Sequence, residues 1–184
     1  MSLALILIDI QNDYFPEGKM EVKDALPASE NAKKLLETCR KQEIPCIHIQ
    51  HISVHEGATF FLPNTSGVNF HSNVEPIENE IIVQKNYPNS FRDTNLEKYL
   101  KTRGINKLII CGMMSQMCID ATTRAAFDKG YQCIVAHDAC AARSLSFENL
   151  EIPHDHVHGS FMAALGAVYA NIATTNTIIS QIIT

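Results

Sequence analysis

Six short, unbroken apolar runs rich in Ile, Val and Leu constrain this chain more than any other feature: Leu3–Ile8, Ile44–Ile49, Glu80–Gln84, Lys107–Cys111, Tyr131–Ala136 and Asn171–Ile179. Runs that are continuous rather than alternating belong to strands covered on both faces, the situation of a parallel sheet between helical layers. Amphipathic stretches of helical length separate them. Ser29–Gln42 opens with Ser29 as a cap, Thr94–Arg103 closes at Gly104, Met117–Lys129 closes at Gly130, and His156–Ala170 follows Pro153. The alternation predicts an α/β fold: one doubly wound, Rossmann-like three-layer domain over residues 1–184, with a six-stranded parallel sheet flanked by helices. The one long irregular stretch, Ser53–Pro76, reads as a functional loop or lid.

Charge and cysteine content narrow the function classes. Fifteen basic residues against twenty acidic ones leave a net charge of −5 with no Lys/Arg run, which argues against a nucleic-acid partner or an anionic membrane surface. No apolar stretch is long enough to span a bilayer, and the apolar start runs directly into Asp9, Gln11, Asn12 and Asp13 without a basic segment before it. Six cysteines without a CxxC pair read as reduced thiols, so a cytoplasmic location is expected.

Open sheets of this kind bind ligands beyond the carboxyl ends of their strands. The residues there are Asp9, Gln50 and His51, Lys85, Gly112–Cys118, and His137 and Asp138. Three of them make a chemically coherent set. Cys118 lies in CGMMSQMCID at the opening of a helix, with Ser115 as the expected N-cap. Free N–H groups and the helix dipole favour thiolate there and can receive an oxyanion. Asp9 ends the first run, where a desolvated carboxylate beside a thiol can act as a base and then as an acid. Lys85 ends the third run and can neutralise both. Each residue alone has an ordinary reading as well: a buried structural Cys, a turn-capping Asp and a solvated Lys.

The segments DIQNDYF, KNYPNSF and CGMMSQMCIDATTRAAFDKGY together resemble the isochorismatase-like cysteine hydrolases, a family that includes nicotinamidases, N-carbamoyl amidases, streptothricin-hydrolase-type enzymes and isochorismatases. The resemblance runs from Leu3 to the final strand. It implies a catalytic triad of Asp9, Lys85 and Cys118, and an oxyanion hole from the Met114 and Cys118 amides beyond a cis Met113–Met114 peptide. It also implies a small-molecule amide or carbamoyl substrate cleaved through a thioester, and a homo-oligomer, dimer or tetramer. Members that act on a vinyl ether lack the nucleophile, so the presence of Cys118 favours C–N hydrolysis.

Nicotinamidases of that family carry an Asp-x-His metal pattern after the second strand. This chain reads HIQHISVHEG instead, so no metal and no cofactor is expected, although His51, His55 and His71 remain in the region. The PHDHVHG tract, with His154, His156 and His158, reads as a solvated first helical turn. Gln11, Phe15, His71 and Phe91 are the substrate-contact candidates, with core packing the alternative for both phenylalanines and turn satisfaction for Gln11. The other readings are an isochorismatase-type vinyl ether hydrolase and a non-catalytic small-molecule-binding module. The absence of GxGxxG and Walker patterns weakens nucleotide binding.

Overall fold

The computed structural model describes residues 2–183. Strands β1 (Ser2–Ile8), β2 (Cys46–His51), β3 (Ile81–Lys85), β4 (Ile105–Met113), β5 (Gln132–Ala141) and β8 (Asn171–Ala173) form one sheet in the order β3-β2-β1-β4-β5-β8. Every neighbouring pair in it is parallel. Ala4 to Ile8 of the central β1 are at most 2% exposed, as a run flanked on both sides and covered on both faces must be. Helices α1 (Ala25–Lys41) and α5 (Thr175–Ile183) pack together on one face. Helices α2 (Leu96–Thr102), α3 (Asp120–Asp128) and α4 (His154–Val168) lie on the other, where the Glu97 carboxylate of α2 meets Lys129 at the end of α3. No helix among the described residues is long and apolar enough to cross a membrane.

Several elements depart from expectation, three of them substantially. Helix α1 begins at Ala25, one turn before Ser29, whose hydroxyl instead donates to the Leu26 carbonyl. The last apolar run is a strand for three residues only and then becomes α5. The turn is made by Thr174, whose Oγ1 accepts from the Thr177 N–H, and by Asp138, whose carboxylate accepts from the Thr175 N–H and hydroxyl. From there Thr175, Ile178, Ile179 and Ile182 recur at helical spacing. Residues after β5 form a hairpin, β6 (Leu145–Phe147) with β7 (Leu150–Ile152), apart from the main sheet and with Phe147 and Leu150 largely exposed.

The stretch between β2 and β3 contains no strand or α-helix, yet it is firmly held. Gln11 donates its amide to the His51 and Val68 carbonyls and accepts from the His51 N–H. The Asp13 carboxylate accepts from the Phe61 N–H at 2.6 Å and the Lys19 N–H at 3.1 Å. Phe61 is fully buried between Tyr14 and Phe60. The segment that follows β1 is therefore the foundation on which the long loop sits.

One glycine fixes how closely β1 and β4 approach under the strand ends. Gly112 has φ of +126°, and a Cβ placed on it would stand 2.0 Å from the Ile8 carbonyl oxygen. The bare backbone is thus required on two grounds. Gly57 also has positive φ (+81°) but faces open space. We expect Gly112→Ala to cost ~3 kcal/mol or more and to lower the melting temperature by about 10 °C. Gly57→Ala is expected to cost about 1 kcal/mol. Equal melting shifts for the two variants, read by calorimetry, would contradict this account.

Candidate active site

The strand order reverses around β1, which has β2 and β3 on one side and β4 and β5 on the other, and the crevice at such a switch point is where this architecture binds ligands. Asp9 follows β1 with φ of +52°, a left-handed conformation that Asp tolerates better than most residues. His51 and Lys85 are register partners at the ends of β2 and β3. Cys118 comes from the turn after β4. Strand β3 lies at the sheet edge and alternates, with Ile82 and Gln84 exposed and Val83 and Lys85 buried, so the pleat turns Lys85 inward. Two strand spacings, about 10 Å, separate β3 from β1, a gap that suits the long lysine stem reaching toward a short Asp side chain.

Lys85 Nζ donates to Asp9 Oδ2 at 2.6 Å, to His51 Nδ1 at 3.0 Å and to Cys118 Sγ at 3.3 Å. The side chains of Lys85 and Asp9 are both 0% exposed, and Cys118 is 5% exposed. Asp9 Oδ1 is buried and has no hydrogen-bond partner. Burial alone pulls the Lys85 ammonium down, but Asp9 and Cys118 outweigh it and hold the lysine above its ordinary value. His51 is pushed down to about 4, by burial first and by the Lys85 charge second, so its ring is neutral at pH 7.

Cys118 departs from the expectation of a favoured thiolate. Burial first, and the Asp9 carboxylate second, hold its thiol well above the ordinary thiol range, and the opposing pull of Lys85 does not win. A helix terminus contributes about 0.3–1 kcal/mol, less than the cost of ionising a fully buried thiol beside a carboxylate. The local backbone differs too. Ser115–Ile119 is a π-helical turn that leads into α3, with the Met117 and Ile119 N–H groups donating to the Met114 carbonyl. Ser115 caps nothing; its hydroxyl binds the Ala141 carbonyl and His158 Nδ1, so one histidine of the PHDHVHG tract braces the turn that carries Cys118. The Met113–Met114 peptide is cis.

The remaining candidates have other partners. Gln11 is 0% exposed, and its amide is engaged by the backbone of the loop, so it braces rather than faces a ligand. Phe15 stacks on His71 with ring centroids 3.7 Å apart, and His71 Nδ1 accepts from the Asn73 N–H. Phe91 stacks on Tyr131 beside Lys129, in the packing of α3 and away from the cluster. The residue that sequence reasoning undervalued is His51. Its strand-end position beside Lys85 was the available signal, and the missing Asp-x-His pattern drew attention away from it.

Asp9, His51 and Cys118 each offer a ligand atom within 4.8 Å of the others, a spacing and donor set that a zinc ion accepts. The Lys85 ammonium stands among the same three residues and bonds to one atom of each. A metal ion would have to displace that ammonium or meet its charge at contact distance, so these residues suit lysine better than a metal.

Comparison with known proteins identifies the family. The model of the Isochorismatase domain matches residues 3–168. The chain is 50% identical over 175 residues to YddQ, an uncharacterized isochorismatase family protein of Bacillus subtilis, covering 95% of this chain and 97% of that one. It is 33% identical over 140 residues to a streptothricin hydrolase of Streptomyces noursei, covering 75% of this chain and 49% of that one. A solved structure named for an isochorismatase hydrolase of Oleispira antarctica superposes with a TM-score of 0.94 at 45% identity, covering 97% of this chain and 96% of that one. The chain therefore belongs to the isochorismatase family of hydrolases.

Proposed function

We propose that this hydrolase cleaves a C–N bond, amide or carbamoyl, in a small molecule, with Cys118 as nucleophile, Asp9 as proton carrier and Lys85 as the charge that holds both. The observation that carries this reading is a buried ammonium within hydrogen-bond distance of a carboxylate and a thiol at once. Asp9 uses Oδ2 on Lys85 and keeps Oδ1 without a partner, which is the arrangement a proton acceptor needs.

The steps follow from the resting charges. As the neutral Cys118 sulfur attacks the carbonyl carbon, its proton passes to Asp9 and a C–S bond forms. The tetrahedral oxyanion is received by the Met114 and Cys118 amides. Asp9 then gives its proton to the leaving nitrogen, the C–N bond breaks, and ammonia or an amine departs from the thioester. Asp9 next takes a proton from water, whose oxygen attacks the thioester carbon. The C–S bond breaks, and the sulfur recovers a proton from Asp9. A base poised beside a neutral thiol avoids the cost of storing a buried thiolate beside a carboxylate. The Streptomyces noursei relative is named a streptothricin hydrolase, which supports hydrolysis as the reaction class.

The same reading includes a cytoplasmic location, with all six cysteines as free thiols, and self-association as a dimer or tetramer. The outer face of α4 is uncharged from Gly159 to Val168, with Ala163, Ala164, Ala167 and Val168 exposed, and the hairpin adds Phe147 and Leu150. Light scattering is expected to report a dimer or tetramer that Phe147→Glu together with Val168→Glu weakens. A wild-type monomer at working concentration would remove this part.

The chemistry is tested by ammonia release from a panel of primary amides and N-carbamoyl compounds, with intact-protein mass spectrometry to trap the thioester. We expect Cys118→Ala and Cys118→Ser to lower turnover by about 10³-fold or more and to abolish the acyl adduct. Unchanged ammonia release from Cys118→Ala would overturn the reading.

A further inference from the structure

We propose that His51 is a hydrogen-bond donor of fixed tautomer that binds an acceptor oxygen, carbonyl or carboxylate, on the acyl portion of the substrate. This deepens the preceding reading and rests on it. The warrant is geometric. An ammonium only donates, so the nitrogen it faces must be bare; Lys85 Nζ lies 3.0 Å from His51 Nδ1. The ring is neutral beside that ammonium, as shown above, so its single proton resides on Nε2. Among the described residues Nε2 has no partner, and it is not among the side-chain atoms sealed from solvent without one. His51 thus turns an occupied acceptor inward and an unused donor outward.

The donor is held in place. Gln11 grips both the N–H and the carbonyl of His51, and Phe61 lies beside the ring at a centroid distance of 5.9 Å. A ligand atom of His51 lies within 4.8 Å of the Cys118 sulfur, so a substrate attached at that sulfur needs only a short arm to reach the ring. A donor fixed before the substrate arrives loses little freedom on binding. The same ring cannot become a second cation beside Lys85, and it offers nothing to an ammonium on the substrate. The site therefore selects an amide that carries a second acceptor, and rejects one that carries an amine at the same position.

The test uses full-length Cys118→Ala protein, which cannot turn over, labelled with ¹⁵N-histidine. The probes are succinamate, an amide with a carboxylate, and β-alaninamide, an amide with an amine in its place. NMR of the free protein is expected to show the His51 proton on Nε2. Succinamate is expected to move that signal and to bind about tenfold or more tighter than β-alaninamide. By calorimetry, His51→Asn, which keeps an acceptor for Lys85 but falls short of the Nε2 position, should weaken succinamate about tenfold. His51→Gln, whose amide N–H reaches that position, should lose less. A proton on Nδ1, equal or absent binding of the two probes, or full affinity in His51→Asn would each overturn the proposal. Because no arm depends on turnover, failure here is distinguishable from failure of the thiol chemistry, which Cys118→Ala tests by ammonia release.

Discussion

An ammonium sealed from water needs an acceptor for every N–H, and Lys85 finds three, one from the end of β1, one from its register partner on β2 and one from the turn after β4. Remove the lysine and a fully buried Asp9 carboxylate is left without a counter-charge, a loss that costs several kcal/mol or forces the carboxyl to protonate. Remove the acceptors and the ammonium itself cannot remain charged. Each group thus supplies a partner that the others need in order to remain buried. Arginine would not serve, because its planar fork cannot direct three donors toward a carboxylate, an imidazole and a sulfur converging on one point.

The fold exists around that point in a specific sense. Parallel order places three strand ends and one strand-to-helix turn at the same edge of the sheet, where the order reverses around β1. Gly112 lets β4 lie against Ile8, just below Asp9. Gln11 and Asp13 then fasten the long loop to the segment that leaves β1 by hydrogen bonds to its backbone groups. The charged pair at the centre is buried, and Phe61, anchored by Asp13, lies within ring contact of His51.

Much of this was legible in the chain itself. The unbroken apolar runs gave the parallel sheet, and the residues that interrupt them at their carboxyl ends gave Asp9, Lys85 and Cys118. Local sequence could not show what depends on a partner distant in the chain. Gln11 looks like a ligand-facing amide until β2 and the loop close around it. Ser115 looks like a helix cap until Ala141 and His158 claim its hydroxyl. The sign of the Cys118 shift was misread because a helix terminus is visible in sequence, whereas the depth of burial and the approach of Asp9 are not. The last run read as one long strand because nothing local marks Asp138 as the acceptor that starts α5.

In the proposed chemistry the Asp9 carboxylate holds the Cys118 thiol up and takes its proton on attack. The direct measurement is the pH dependence of iodoacetamide alkylation at Cys118, mapped by peptide mass spectrometry, in wild type and Asp9→Asn. The wild-type thiol should ionise above the ordinary value of about 8.5. Asp9→Asn should move that ionisation to lower pH, because the carboxylate is gone and Lys85 remains, while hydrolysis is lost. A wild-type thiol ionising below the ordinary value, or an Asp9→Asn profile that is unmoved or shifted upward, would contradict it.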